Sequence, residues 1–343
     1  MFNPRLILPH LRKIAVSAAR NTNGLLLDAN ENRLDCSFIH QDLASFSDAQ
    51  HRALRLQLSL IKAVSPNQIM VSAGGIIEPI DLIIRATCAP AIENVMALTP
   101  VSPEFARRAQ IAHVQVIEVP LDEDRFQPDI ERISQEANER TQIIYISSPN
   151  DQTGQIVSPE AIEIILANFE GLVIIDESYV NFSRFRGSMP LLSESPNLVI
   201  LQSLNHAWGL AGLNLGICMA HPDLIAVLEA IRVPNSISNN TQTLAFQALK
   251  HVEETNGRTQ QVIQLRESMM QKLITLPNVV RVFASEANFL TVEFSDIARV
   301  KRGLVREKIQ VYQPESSLLA NCLRFTVGSW DDNLKVLSTL QHI

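Results

Sequence analysis

His206 has more chemistry open to it than any other side chain here, because imidazole titrates near neutral pH and can move a proton in either direction. It lies in the segment Ser203-Leu204-Asn205-His206-Ala207-Trp208-Gly209-Leu210-Ala211-Gly212-Leu213-Asn214-Leu215-Gly216. Asp176 closes the apolar run Val173-Ile174-Ile175, where partial burial strengthens the pairing of a carboxylate with a cation. Tyr179 follows three residues later. Gly75-Ile76-Ile77-Glu78 opens a helix candidate whose first backbone amides can face an anion. One chemistry is missing. From residue 63 to 249 the chain has no lysine, so no primary amine is available there for a Schiff base.

The elements that must position these groups alternate. Short apolar runs rich in β-formers occur at Gln68–Ser72, Val95–Leu98, Val114–Val119, Gln142–Ser147, Leu172–Asp176, Leu198–Gln202 and Leu215–Ala220. Helical segments fall between them. Glu78–Thr87 is one, with Pro79 tolerated in the first turn, and His221–Ile231 is another. A third begins at Ser158-Pro159-Glu160, with Ser158 as N-cap and an apolar face through Ile162, Ile165 and Leu166. Alternation of this kind predicts an α/β sheet covered on both faces. From about Thr241 the pattern changes to one long helical stretch that passes Gly257 and stops before Pro277. Strands at Asn288–Phe294 and Leu323–Val327 and a helix near Asp332–Leu340 then suggest a smaller α+β domain, with a cleft between the two.

Composition narrows the partners. With 343 residues the chain can hold two domains, and 46% hydrophobic against 19% charged residues is an ordinary globular balance. A net charge of −7 argues against nucleic acid and anionic membranes, and no apolar run is long enough to span a bilayer. Cys36, Cys88, Cys218 and Cys322 are widely separated and read as buried thiols in a reducing, cytoplasmic setting, not as a disulfide frame or metal site. Residues 1–27 lack acids and carry Arg5, Arg12, Lys13 and Arg20; Pro4 and Pro9 interrupt any long helix there, favouring an N-terminal arm over a targeting segment.

Several motifs in order resemble histidinol-phosphate aminotransferases, pyridoxal-phosphate (PLP) enzymes, over roughly residues 25–340. Leu27-Asp28-Ala29-Asn30-Glu31-Asn32 is similar to L-D-A-N-E-N-P, with Arg33 in place of the proline. Ser148-Pro149-Asn150-Asp151-Gln152-Thr153-Gly154 is similar to S-P-N-N-P-T-G, and Asp176-Glu177-Ser178-Tyr179 to D-E-A-Y. Cys322-Leu323-Arg324-Phe325-Thr326-Val327-Gly328 is similar to C-L-R-I-T-V-G, and residues 203–216 to S/T-L-S-K-A-F-x-L-A-G-L-R-x-G. The resemblance implies the PLP-dependent transferase fold of type I: a seven-stranded, mostly parallel sheet in a large domain (31–250), a small α+β domain (251–343), and an arm (1–30) lying on the small domain or a partner subunit. It also implies a homodimer.

Carried over position by position, the resemblance makes Asp176 the partner of the pyridine nitrogen and Tyr179 a donor to the phenolic oxygen. Gly75, Ser203, Asn205 and Asn214 become a phosphate cup, and Arg324 with Asn288 grips the substrate's anionic group. Three positions depart. His206 stands where the lysine is expected, Asn214 where an arginine is, and Asp151 where an asparagine donates to the phenolate. Asn214 gives up a charge-assisted contact worth about 1.5–3 kcal/mol. Asp151 accepts hydrogen bonds only and repels a phenolate. Tyr312 stands near a second expected arginine, and Phe105 reads as a core residue in place of a ring-stacking aromatic. Three readings follow. One is a chain without transaminase chemistry that binds a small anionic or amino-acid-like ligand, or partners an authentic aminotransferase. Another is an enzyme holding PLP or pyridoxamine phosphate (PMP) noncovalently, with His206 as base. The third is a cofactor-free reaction in the same cleft.

Overall fold

The computed structural model describes residues 1–14 and 45–343, so Cys36 and the segment Leu27–Asn32 lie outside the described residues. Seven strands form one sheet: β1 (Ile69–Ala73), β2 (Asn94–Thr99), β3 (Gln115–Pro120), β4 (Thr141–Ser147), β5 (Leu172–Asp176), β6 (Leu198–Ser203) and β7 (Leu215–Met219). Their order is β1-β7-β6-β5-β4-β2-β3. Only β7 runs against its neighbours, β1 and β6. This is the α/β sheet expected from the alternating runs, with the seven strands, mostly parallel, that the resemblance implies.

Both faces of the central strands are buried, which is why β5 is apolar at every position up to Asp176 and not at alternate ones, whereas edge strand β3 exposes Gln115 and Glu118. On β5, Val173 and Ile175 join a core with Leu54, Leu58, Ile162, Ile165 and Leu249. Leu172 and Ile174 join a second core with Ile80, Ile83, Phe105, Leu224 and Leu228 on the other side. The covering helices are α1 (Arg52–Lys62), α2 (Ile77–Thr87), α3 (Pro103–Ile111), α4 (Ile130–Glu136), α5 (Pro159–Asn168), α6 (Pro222–Ile231) and α7 (Asn239–Ala248). Ser158 caps α5 as expected, its side chain accepting from Ala161 N at 3.2 Å.

The expected single helix beyond Thr241 is two. α7 stops at Ala248, and α8 (Val252–Leu273) begins after a three-residue break. No glycine or proline marks it. Leu249 is fully buried in the large-domain core, and its carbonyl accepts from the Gln57 side chain at 3.2 Å. Tertiary packing therefore turns the chain. Beyond α8, strands β8 (Val279–Val282), β9 (Phe289–Phe294) and β10 (Cys322–Thr326) form an antiparallel sheet in the order β10-β9-β8. It packs with α9 (Ile297–Arg306) and α10 (Trp330–Gln341) around Met269, Leu290, Val292, Phe294, Leu304 and Phe325.

The arm also departs from expectation over its described part. Residues 1–14 lie on the large domain: Phe2, Leu6 and Ile7 are buried in the core of α2 and α6, and Leu8 N donates to Ala86 O at 2.9 Å. Phe2 stacks on His221, 5.3 Å between ring centroids. The physical reason is that these apolar side chains complete a face that no other described segment covers.

Candidate functional site

The carboxyl ends of the parallel strands, where α/β sheets bind ligands, carry the candidate residues. Asp176 is the last residue of β5 and Ser203 the last of β6, while Asp151 follows β4 and Gly75 follows β1. Asp176 is buried and already held by its own chain. Its Oδ1 accepts from Ser178 N at 2.9 Å and from Ser178 Oγ at 2.6 Å, and its Oδ2 from Tyr145 Oη at 2.9 Å. Burial raises its pKa above the usual carboxylate range. Tyr145 and Ser178 are additions to the residues expected from sequence. The signal for Tyr145 was parity: Ser147 pairs with Asp176 and Tyr145 with Ile174, so Tyr145 and Asp176 share one face of adjoining strands. Phe105 stacks on Tyr145 at 4.3 Å and is 1% exposed, a core residue as expected.

Asp151 is buried beside this cluster. Its Oδ1 accepts from Ser102 N at 3.1 Å and its Oδ2 from Gln152 Nε2 at 2.6 Å. Burial first, then the Asp176 charge, pushes its pKa up to about 6. Asn150, the adjacent amide, is committed to the loop itself: Oδ1 accepts from Gln152 N and Thr153 N, and Nδ2 donates to Pro100 O.

His206 is half-buried and stacks on Tyr179, with centroids 4.5 Å apart and planes 22° apart. Burial, then the Arg324 charge, lowers its pKa, so the ring is neutral at pH 7. Burial likewise keeps the Tyr179 hydroxyl protonated, its pKa raised. Tyr179 meets Phe289 edge-on at 5.2 Å; the Arg324 guanidinium covers Phe289 at 4.7 Å and Tyr312 at 4.3 Å. This column crosses from the large domain to the small one. Arg324 Nη1 also donates to Asp151 O. Arg324 therefore joins the domains through a backbone carbonyl and two rings, and no salt bridge to it is seen among the described residues. Asn288 lies beside Phe289, its carbonyl accepting from Val327 N at 2.9 Å.

Gly75, Ser203, Asn205 and Asn214 do come together. Gly75 N donates to Asn214 O at 2.7 Å, Asn205 Nδ2 to Asn214 Oδ1 at 2.9 Å, and Asn205 N to Ser203 Oγ at 3.0 Å. Gly75 has φ +66°, and a Cβ there would sit 3.0 Å from Asn214 Oδ1, so the turn requires glycine. Gly75 N, Asn205 N and Asn205 Nδ2 are turned inward on this group, while Asn214 Nδ2 and the Ser203 hydroxyl donate to no partner among the described residues. Asn205 Oδ1 is a buried acceptor with no partner, and the nearby first turn of α2 carries Glu78, whose Oε2 accepts from Ala73 N at 2.7 Å. A phosphate dianion needs donors and positive charge; Gly75, Ser203, Asn205 and Asn214 include no cation, so a phosphate here would rest on neutral donors and the first amides of α2, with Glu78 close by.

An α/β fold of type I with a polar cleft between a large and a small domain defines the class. The family model for aminotransferase class I and II matches residues 21–340, and the chain belongs to that family of PLP-dependent enzymes. It is 35% identical to the histidinol-phosphate aminotransferase of Cytophaga hutchinsonii over 324 residues, 94% of this chain and 92% of that protein. The corresponding protein of Flavobacterium psychrophilum is 34% identical over 94% of this chain and 91% of its own. Among solved structures, the histidinol-phosphate aminotransferase from Clostridium acetobutylicum superposes with a TM-score of 0.79 at 20% identity, covering 88% of this chain and 90% of that one. The enzyme from Sinorhizobium meliloti in complex with pyridoxal-5'-phosphate gives 0.77 at 19% identity, covering 87% and 82%. At these identities the superpositions speak for the fold.

Proposed function

We propose that this chain is a histidinol-phosphate aminotransferase-like protein without transaminase chemistry, in which His206 stands at the Schiff-base lysine position and the cleft has a binding role. The ligand is a small anionic or amino-acid-like molecule, for which the Arg324 guanidinium and Asn288 supply the polar contacts. One observation carries this reading: the stretch from 63 to 249, which builds the whole catalytic face of the large domain, contains no lysine. The self-paired cup and the acidic Asp151 agree with it.

A second reading, an enzyme holding PLP or PMP noncovalently with His206 as base on an amino acid or a phosphorylated amine or keto substrate, is favoured by one feature. The neutral imidazole makes no hydrogen bond through either ring nitrogen among the described residues. The chain is further proposed to pair as a homodimer, or with an authentic aminotransferase, through the face where α1 and α7 pack together and expose Leu56, Leu60 and Leu244.

Restoring the missing groups tests the main reading. His206→Lys returns an amine but leaves Asn214 and Asp151 as they are. The single variant is expected to give little borohydride-trappable Schiff base when titrated with PLP. His206→Lys with Asn214→Arg and Asp151→Asn is expected to bind about tenfold to a hundredfold more tightly, the worth of one charge-assisted contact. Tight trapping by His206→Lys alone would show an intact cup and transfer support to the second reading.

A further inference from the structure

On the opposite face of the sheet from Asp176, the loop after β5 closes over a cavity of about 180 Å³. Strand parity puts it there: Asp176 faces the core of Ile174, and Glu177, the next residue, faces the core of Ile175 and Val157. The walls are mostly apolar, with Val157, Ile162, Val180 and Leu191 among them. Two charged side chains interrupt them. Glu177 lines the cavity and is 1% exposed, whereas Arg186 is exposed and lines the same cavity. Arg186 makes no hydrogen bond or ion pair among the described residues.

Glu177 is held but not saturated. One carboxylate oxygen accepts from Ser188 N, and the other from Gln202 Nε2 at 3.0 Å. The Ser188 side chain adds a third bond, so of a carboxylate's roughly four acceptor positions about one remains. The loop is shaped to sit on it: Gly187 has φ +68°, and a Cβ there would lie 2.7 Å from a Glu177 oxygen. Lys62 is near enough for its charge to favour ionised Glu177, yet no ion pair within 4 Å joins them and Lys62 does not line the cavity. Buried carboxylates in apolar cavities are otherwise costly, and a largely apolar hollow with a few convergent polar groups is the usual form of a small-molecule site.

We propose that this cavity is a second binding site, separate from the His206 cleft, for a free aliphatic amino acid. The ligand's ammonium donates to Glu177, its branched side chain packs on Val157, Ile162 and Leu191, and its carboxylate meets Arg186 at the mouth. The three chemical parts of such a molecule match the three parts of the wall. An amine alone leaves Arg186 without a partner, and a carboxylic acid alone leaves the open acceptor position of Glu177 unfilled.

The test is a titration of the full chain with leucine, isoamylamine and isocaproate, followed by calorimetry and by methyl NMR of the Val157 and Ile162 side chains. Leucine is expected to bind more tightly than either analogue and to shift both methyl signals. Arg186→Ala, an exposed substitution that leaves the core untouched, should weaken leucine about tenfold or more and leave isoamylamine unchanged. Glu177→Gln should weaken both. Arg324→Ala, at a side chain that does not line this cavity, should leave these shifts in place and thereby separates the two sites. Leucine that moves neither methyl signal at millimolar concentration, or that binds equally well to Arg186→Ala, overturns the proposal.

Discussion

At the scale of single residues, the cleft is governed by a shortage of positive charge. Asp151 and Asp176 are both buried, their raised pKa values reflect desolvation first, and Arg324, the cation whose charge reaches Asp151 among the described residues, is spread over two rings and a carbonyl. Asp151 has a measurable consequence. Its folded pKa of about 6 lies above its unfolded value near 3.8, so the folded state holds the proton longer. Where the folded state binds more protons, stability falls as pH rises. Wild-type stability to urea should therefore decline between about pH 4 and pH 7 relative to Asp151→Asn, by up to about 3 kcal/mol. The variant gives up one acceptor bond, to Ser102 N or Gln152 Nε2, which offsets about 1 kcal/mol of its gain at neutral pH. Parallel pH profiles for the two proteins would contradict this.

At the scale of elements, β4, β5 and β6 deliver Asp176 and Ser203 to one edge, and α3 anchors that edge from behind through Phe105 on Tyr145. Phe105→Ala should cost about 3–5 kcal/mol, the usual penalty for emptying a well-packed aromatic site. It should also loosen the Tyr145 hydroxyl that holds Asp176, seen as faster exchange of the backbone amides around Ser178. A loss under about 1 kcal/mol would mean the two rings are not coupled. The large-sheet strands were legible from their apolar runs, nearly unbroken where a strand is buried on both faces and interrupted by Glu118 on edge strand β3, and the Ser158 cap was legible from Ser-Pro-Glu. The α7–α8 break was not, since buried Leu249 and the Gln57 contact make it, and neither leaves a local mark. β8 and α9 were likewise missed: β8 is short and only half-buried, and the strongly one-sided α9 follows no strong start signal beyond Asp296. In the cleft, residue types at family positions found Asp176, Tyr179, His206 and Arg324. Their mutual stacking, and the Tyr145 and Ser178 bonds, depend on side-chain directions that one-dimensional spacing does not contain.

At the scale of the whole molecule, the domains are joined by more than Arg324. Thr291 Oγ1 donates to Gln152 O at 2.6 Å, Glu286 N to Gly154 O at 2.7 Å, and the buried Arg266 to both Phe182 O and Ala287 O. No helix among the described residues is long and apolar enough to cross a membrane. The proposed pairing through α1 and α7 predicts a dimer by sedimentation at micromolar concentration. Leu60→Asp, on the exposed side of α1, should yield a folded monomer; an unchanged mass for that variant, or a monomeric wild type, would place the contact elsewhere or remove it.

The chain keeps the aminotransferase fold, and we propose that its cleft lacks transaminase chemistry. The most direct measurement is turnover by protein purified to homogeneity, supplied with PLP and with histidinol phosphate or common amino acids as donors. The account predicts no transamination above the rate without protein. Turnover that copurifies with the chain and is abolished by His206→Ala would contradict it.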